Sequence, residues 1–299
     1  MKIVIAIDLS EESRYATRWA LDLRDRLRES DKPVETIALS VAPSSWYSTD
    51  REQKVTHDPG IYHNLTHQIR DFLESVDPDV DDVEIAIDEG RPTDIITEYC
   101  HTRNVDWLVV GMSDLGPVGR FMWGSTVHSL ADRVRSRMAI IHPEHDRLMS
   151  SMNFVLGIDF LPDSHHALLT AAELADSADA HLHLVHALQD PPTTTLSTGL
   201  VNYLSPGDIA HRTATARHSL ENLMAQVQLK YPDLNYITLV HSGPPEKILA
   251  QYIDEIDADM VLLGKGHRSA VEKWILGSVS RGLLKRMPTT LILVPPDDR

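Results

Sequence analysis

The sequence predicts an α/β protein built from two repeated domains, each a five-stranded parallel sheet of order 3-2-1-4-5 with helices on both faces. Three observations support this prediction. The chain has 299 residues, about twice the length of a common domain. Its two halves match each other in order along their whole length. Within each half, short apolar segments alternate with segments of helical periodicity, which is the pattern of a parallel sheet covered by helices.

The internal repeat begins at the N-terminus. The segment "KIVIAIDLSEESRYATRWALDL" (2–23) aligns with "NFVLGIDFLPDSHHALLTAAEL" (153–174). Seven pairs of identical residues share one spacing of 151 residues: Val4/Val155, Ile7/Ile158, Asp8/Asp159, Ser13/Ser164, Ala16/Ala167, Ala20/Ala171 and Leu23/Leu174. Matches in order over a whole segment indicate a duplicated domain.

Later in each half the spacing becomes 153 residues. The identical pairs there are Gly90/Gly243, Pro92/Pro245, Tyr99/Tyr252, Asp106/Asp259, Gly111/Gly264, Gly124/Gly277 and Ser125/Ser278. The polar segment "PEHDRLMSS" (143–151) joins the two halves. The predicted domains therefore span residues 1–146 and 151–299.

The second half shows each element in turn. Short apolar segments predict five strands, at 154–159, 181–188, 235–240, 259–264 and 289–294. Helical spacing predicts four helices between them, at 162–178, 215–230, 244–256 and 277–287. The long segments 43–64 and 190–211 follow the second strand of each half, and we expect them to be loops beside the sheet. The first half has the same pattern and closes with "MAIIHP" (138–143).

Composition limits the function. The formal charge of −16 disfavours nucleic acid and anionic membrane surfaces as partners, because both carry phosphates. One cysteine, Cys100, allows no intrachain disulfide. The apolar run before Asp8 is too short for a signal-peptide core, and no long apolar segment predicts a membrane span. We expect a cytoplasmic protein.

A ligand site is expected where the strand order reverses, between the first and fourth strands. In the second half Asp159 ends the first of these strands and Gly264 the fourth. Gly277 and Ser278 then precede a helix, whose N-terminal N–H groups suit a phosphate. The same three features recur in the first half, which favours a nucleotide site over chance turns and caps.

These residues resemble the universal stress protein family. The resemblance rests on an Ile-Asp first strand, a Val-His-Ala ending to the second strand, and glycines spaced as in Gly-x2-Gly-x9-Gly-Ser/Thr. It covers both halves and implies a tandem member with Rossmann-like (HUP-type) domains that binds ATP, or ADP or AMP. It implicates Asp159, Ala187, Gly264, His267, Gly277, Ser278, Val279 and Ser280 in the second repeat. A weaker second site would comprise Asp8, Val41, Gly111, Gly124, Ser125 and Thr126.

Both repeats depart from the family pattern at its second glycine, which is Asp114 in one and His267 in the other. A carboxylate about 5 Å from a phosphate costs roughly 3 kcal/mol at an effective dielectric constant near 20. His267 carries no such charge, and Lys265 and Arg268 are its sequence neighbours. The second repeat is therefore predicted to be the better nucleotide site.

Other functions stay open. A nucleotide-free interaction protein with degenerate sites is the main alternative. Zinc binding is a third, because His57, His63 and His67 are closely spaced and His181 and His183 share one face of a strand. No metal ligand set is assigned. A conventional enzyme is not expected, since phosphate-binding-loop and G-x-S-x-G motifs are absent, although slow ATP hydrolysis stays open.

The last strand of each repeat is apolar and would be an exposed edge. One-domain relatives of this family form dimers through that strand. The resemblance therefore implies an intramolecular pseudo-dimer in which "MAIIH" and "LILVP" pair antiparallel. We expect Ile140 and Ile141 opposite Ile292 and Leu293, within one residue.

Overall fold

The computed structural model describes residues 1–42, 59–112, 125–146, 148, 152–189, 206–267, 274–275, 277–284 and 289–296. Twelve strands lie in these residues, with the following bounds: β1 Lys2–Ala6, β2 Glu35–Ala42, β3 Glu84–Glu89, β4 Trp107–Gly111, β5 Arg137–Ile141, β6 Asn153–Gly157, β7 His181–Leu188, β8 Tyr236–Ser242, β9 Met260–Gly264, β10 Gly266–His267, β11 Trp274–Ile275 and β12 Thr290–Val294.

Eight α-helices lie between strands in the described residues. Their bounds are α1 Glu11–Glu29, α2 Pro59–Val76, α3 Pro92–Thr102, α4 Ser125–Arg133, α5 Pro162–Ala178, α6 Pro206–Gln228, α7 Pro245–Glu255 and α8 Ser278–Leu284. A 3-10 helix, Pro143–His145, follows β5. No helix in the described ranges is both long enough and apolar enough to cross a membrane.

The chain divides into two compact units. Unit 1 comprises Met1–Leu148, Lys265–Leu276 and Met287–Pro295, and unit 2 comprises Met149–Gly264, Gly277–Arg286 and Pro296–Arg299. Each sequence repeat supplies most of one unit. Two segments of the second repeat nevertheless belong to unit 1, and they contain the β10–β11 hairpin and the last strand, β12.

Unit 1 contains a sheet of strand order β3-β2-β1-β4-β5-β12. The first five strands are parallel, which confirms the predicted order 3-2-1-4-5. Strand β12 pairs with β5 and runs antiparallel to it, as predicted for the two last strands. Ile140 lies opposite Leu291 and Ile292 lies opposite Ala139, one residue away from the expected pair Ile140–Ile292.

Unit 2 contains the parallel strands β8-β7-β6-β9, which confirms the order 3-2-1-4 for the second repeat. The central strand β6 is buried on both faces, since Phe154, Val155 and Leu156 have no exposed surface. This is the burial expected of a parallel strand covered by helices on both sides.

Backbone conformation repeats along with the sequence. Residues with positive φ occur at three pairs of equivalent positions: Leu9 (65°) and Phe160 (61°), Gly90 (141°) and Gly243 (140°), Asn104 (50°) and Asp257 (50°). Positive φ is rare for bulky residues such as leucine and phenylalanine. Its recurrence directly after Asp8 and Asp159 means that both repeats make the same turn at the predicted crevice.

Two loop expectations need correction. Helix α6 begins at Pro206 and helix α2 at Pro59, inside segments expected to be loops. In α6 the early residues 207–211 are all exposed, so they carry no apolar periodicity. They extend a helix whose buried face starts at Ala216, because adding a residue to an existing helix is far easier than starting one.

Candidate functional site

A pocket of about 450 Å³ lies at the carboxyl ends of β1 and β4 in unit 1. It is the crevice predicted at the reversal of strand order. Five of the six residues predicted for the weaker site line it: Asp8, Val41, Gly111, Ser125 and Thr126. The sixth, Gly124, lies outside the described residues, as does Asp114. The structure thus brings together residues that are up to 118 positions apart in the chain.

Asp8 is held by a compact set of hydrogen bonds. One carboxylate oxygen, Oδ1, accepts from the Ser10 hydroxyl at 2.5 Å, the Ser13 hydroxyl at 2.5 Å and the Ser10 backbone N–H at 3.1 Å. Partial burial acts to raise the pKa of Asp8, but the hydrogen bonds from Ser10 and Ser13 outweigh it and lower the pKa. Asp8 is therefore a fixed anion at the mouth of the pocket.

The start of helix α1 explains why these serines are present. Ser10 is the N-cap, and its side chain accepts a hydrogen bond from the Ser13 N–H at 3.2 Å. Ser13 also accepts from the Asp8 N–H at 3.0 Å. Together the three residues form one capping network, which ties the end of β1 to the first turn of α1.

Gly111 ends β4, and it cannot carry a side chain. A Cβ built there would lie 2.2 Å from the carbonyl oxygen of Glu12 and 2.4 Å from its carbonyl carbon. The end of β4 is thus pressed against the first turn of α1. In the first repeat, close packing against α1 therefore explains why this recurring position is a glycine, in addition to any role in binding.

The N-terminus of α4 forms another wall of the pocket. Ser125 is exposed and Thr126 is half-buried at its first positions, whereas Val127 and Leu130 are buried. Because Ser125 and Thr126 line the pocket, the positive end of the α4 helix dipole lies at the crevice. This wall suits an anionic group.

The second repeat reproduces the first half of this arrangement. Asp159 Oδ1 accepts a hydrogen bond from the Ser164 hydroxyl, and the Leu161 N–H donates to the same oxygen at 3.1 Å. Leu161 replaces Ser10, so one hydroxyl donor is missing. Ala187 is half-buried at the end of β7, one strand away from Asp159.

The remaining residues of the second predicted site lie on two segments. Gly264 ends β9, and Ser278 begins α8, followed by half-buried Val279 and buried Ser280. Gly277 is exposed, and a Cβ built on it would meet no atom within 4 Å. The backbone of His267 is in β10, where it pairs with Trp274. Its side chain lies outside the described residues.

The structure corrects one expectation about charge. Lys265 is not available to a phosphate, because its side chain is 1% exposed and its Nζ donates to the carbonyl oxygen of Val134 at 3.0 Å. Burial lowers the pKa of Lys265 to about 8. Arg268 lies outside the described residues. Lys265 therefore does not supply the positive charge that was expected beside His267.

Two functional residues were missed from the sequence, Ser13 and Ser164. Both donate to the aspartate that ends the first strand of their repeat. The signal was available, because Asp-x4-Ser occurs at the same place in both halves. A serine at a helix start is also explained by capping, so this pattern does not by itself indicate a site.

The structure places the candidate zinc ligands in different environments. His57 lies outside the described residues. His63 and His67 lie on α2, exposed, with their Nε2 atoms 3.0 Å apart. His183 is buried and its Nδ1 contacts the Tyr252 hydroxyl at 2.7 Å, while its neighbour His181 is exposed. A different group, His142, Glu144 and His145, is the one set of three metal-ligating side chains brought together within the described ranges.

Comparison with known proteins gives consistent results over the whole chain. The model of the "Universal stress protein family" matches residues 1–142 and 151–295. A universal stress protein of Mycolicibacterium smegmatis is 26% identical over 98% of this chain and 97% of its own length. The universal stress protein E homolog of Haemophilus influenzae is 20% identical over 99% of this chain and 98% of its own.

A solved structure shows the same fold. The crystal structure of a universal stress protein from Archaeoglobus fulgidus superimposes with a TM-score of 0.66 at 18% sequence identity. The match covers 98% of both chains.

Proposed function

Because this chain belongs to the universal stress protein family over both of its halves, we propose that it is a regulatory protein that binds an adenine nucleotide and is not an enzyme. The ligand proposed is ATP, or ADP or AMP. The observation that carries this proposal is the pocket at the carboxyl ends of β1 and β4. Its volume of about 450 Å³ lies within the range of small-molecule sites, roughly 300–1,000 Å³.

The walls of that pocket suit the parts of a nucleotide. Ile7, Leu39 and Val41 offer apolar surface to a purine base. The Asp8 carboxylate, fixed by its serines, would accept hydrogen bonds from ribose hydroxyls or from an amino group of the base. The N-terminal N–H groups of α4 would receive a phosphate. This division of contacts needs no metal ion and no catalytic side chain.

The predicted sites of the two repeats differ in charge. Asp8 and Glu12 line the first pocket, and among the described residues that line it there is no lysine or arginine. Asp114 follows Gly111 by three residues in the sequence and would contribute a third carboxylate. The first repeat would therefore accept adenosine or AMP more readily than ATP. We propose that the second repeat, in which His267 replaces Asp114 in sequence, is the better site for ATP.

The same charges favour one alternative. A crevice lined by carboxylates is a poor phosphate site, so the protein would then act as a nucleotide-free interaction module with relic crevices. Asp8 would serve only to cap α1 in that case. The two functions differ in what the purified protein carries and in what it binds.

The test begins with the protein as purified. Denaturing extraction followed by chromatography would give the identity and stoichiometry of any bound nucleotide, and we expect about one adenine nucleotide per chain. Calorimetric titration with ATP and with adenosine would then compare the wild type with two variants. Val41→Trp fills the first pocket, and Gly277→Val obstructs the second site. We expect Val41→Trp to reduce adenosine binding and Gly277→Val to reduce ATP binding. Protein that carries no nucleotide and binds neither ligand would overturn the nucleotide proposal and leave the interaction-module alternative.

A further inference from the structure

Three metal-ligating side chains meet in the turn after β5. His142 precedes the 3-10 helix Pro143–His145, which contains Glu144 and His145. One nitrogen of each histidine and one carboxylate oxygen of Glu144 all lie within 4.8 Å of one another. The two imidazole ring centroids are 5.7 Å apart. Small rotations of the side chains would bring all three atoms within reach of one ion, since metal–ligand distances are about 2.0–2.2 Å.

The backbone that carries these ligands is held in place by one buried hydroxyl. The His142 N–H donates to Thr290 Oγ1 at 3.0 Å, and Thr290 Oγ1 donates to the His145 carbonyl oxygen at 3.0 Å. Thr290 belongs to β12 and has no exposed surface. At the far end of the turn, the Arg18 guanidinium forms an ion pair with Asp146. The turn is therefore fixed before any ion binds, which lowers the entropy cost of binding.

The three side chains differ in exposure in a way that suits an ion. His142 is 1% exposed, His145 is half-buried and Glu144 is exposed. The buried ring gives the site a floor, and the exposed carboxylate leaves an open side for entry and for a water ligand. The Glu144 N–H donates to His142 Nδ1 at 3.2 Å, so this nitrogen carries a lone pair that faces the turn. An ion that took that lone pair would replace the Glu144 N–H as the partner of His142 Nδ1.

We propose that His142, Glu144 and His145 form a binding site for one divalent transition-metal ion of the zinc class. Two imidazoles, one carboxylate and one water make up a common four-coordinate set for zinc. The site is confined to the first repeat, because Pro295 stands at the position equivalent to His142 in the second. A bound ion would secure the turn next to the β5–β12 pair.

The experiment must distinguish Zn²⁺ binding at this site from Zn²⁺ binding by the exposed pair His63 and His67 on α2. The double variant His63→Ala/His67→Ala removes that pair and serves as the background. After treatment with a chelator, the background protein is titrated with Zn²⁺ by calorimetry, and Co²⁺ absorption reports the ligand geometry. We expect one equivalent of Zn²⁺ to bind and to raise the thermal unfolding midpoint.

Two further variants in this background identify the ligands. His145→Ala and Glu144→Gln lie at accessible positions and should fold, whereas His142→Ala would disturb a buried residue. Each should weaken Zn²⁺ binding at least tenfold, because loss of even a group that supports a ligand costs about 10–100-fold. Each should also abolish the rise in unfolding midpoint. His128→Ala, an exposed histidine on α4, is the matched control and should bind Zn²⁺ like the background. Absence of binding in the background, or binding that survives both ligand variants, would overturn the proposal.

Discussion

The ammonium group of Lys265 donates a hydrogen bond to the carbonyl oxygen of Val134, 131 residues earlier in the chain, at 3.0 Å. Both residues belong to unit 1, and Val134 follows the end of α4. The Lys265 side chain is buried over its whole length. A segment of the second sequence repeat is thus anchored inside the unit formed by the first.

This buried lysine predicts a pH dependence of stability. Burial lowers its pKa to about 8 in the folded protein, whereas the unfolded value is near 10.5. Between these values the unfolded chain binds the proton more tightly, so stability rises with pH. We expect the free energy of unfolding to increase by about 1 kcal/mol between pH 8 and 9 through this group.

Cys100 acts in the opposite direction at higher pH. Burial raises the pKa of its thiol from 9 to about 12, so ionisation of the unfolded chain lowers stability above pH 9. Denaturant unfolding of wild type and Lys265→Met at pH 7.5, 8.0, 8.5 and 9.0 isolates the lysine. The rise with pH should be lost in Lys265→Met. An equal rise in both proteins would show that Lys265 is not the group responsible.

A second prediction contrasts two glycines of the repeated motif. Gly111→Ala should destabilise the protein by about 2 kcal/mol or more, since its Cβ would lie 2.2 Å from the Glu12 carbonyl oxygen and backbone would have to move. Gly277→Ala should leave stability nearly unchanged, because within the described residues, its chain neighbours aside, no atom lies within 4 Å of a Cβ built there. Thermal and denaturant unfolding of the two variants would measure the difference. Similar losses in both would contradict the packing described for Gly111.

A third prediction concerns the serine that holds Asp8. Ser13→Ala removes a hydroxyl that donates to Asp8 at 2.5 Å, so the pKa of Asp8 should rise. Because the lowered pKa contributes stability above pH 3.8 that is lost as pH falls, the variant should be less acid-sensitive through this group. At neutral pH we expect a cost of about 1 kcal/mol.

The measurement is the carboxyl carbon shift of Asp8 followed by NMR from pH 2 to 6. Ser164→Ala is the corresponding change in the second repeat and should leave the titration of Asp8 unaffected. A titration of Asp8 that does not move in Ser13→Ala would show that the Ser13 hydroxyl does not lower the pKa of Asp8.

The sequence predicted the elements that bury an apolar face and missed those that do not. Helix α5 was predicted at 162–178 and is found at Pro162–Ala178, because Ala167, Ala171 and Leu174 recur at helical spacing and all are buried. The early residues of α6 were not predicted to be helical, because they are exposed and show no apolar periodicity. Periodicity carries information only where one face meets the core.

The candidate site was predictable for a different reason. Asp8 recurs in the second half at a spacing of 151 residues, and Gly111 and Ser125 recur at a spacing of 153, so duplication marked all three without knowledge of their contacts. The pairing of β12 with β5 was expected from the family resemblance, but the burial of Lys265 was not predicted. That burial depends on a contact with Val134, 131 positions away, and the local sequence shows only that the residue is charged.

The last prediction concerns β12, which is encoded at the end of the second repeat and pairs with β5 in unit 1. A chain that ends at residue 286 lacks this strand. Leu291, Ile292, Leu293 and Val294 have no exposed surface, and burial of such side chains contributes roughly 1.5–3 kcal/mol each. Their loss approaches the whole stability of an ordinary domain, about 5–15 kcal/mol. It would also leave β5 as an apolar edge, which invites association.

We therefore expect the chain truncated after residue 286 to lose amide protection in Met138–Ile141, although the deletion lies about 150 residues away in sequence. Hydrogen exchange read by mass spectrometry would report this, and light scattering would report association through β5. The matched control ends at residue 296, which keeps β12 and removes only the last three residues of the chain. It should retain wild-type protection. Truncation after residue 286 that leaves β5 protected in a monomeric protein would show that β12 does not secure this strand in solution.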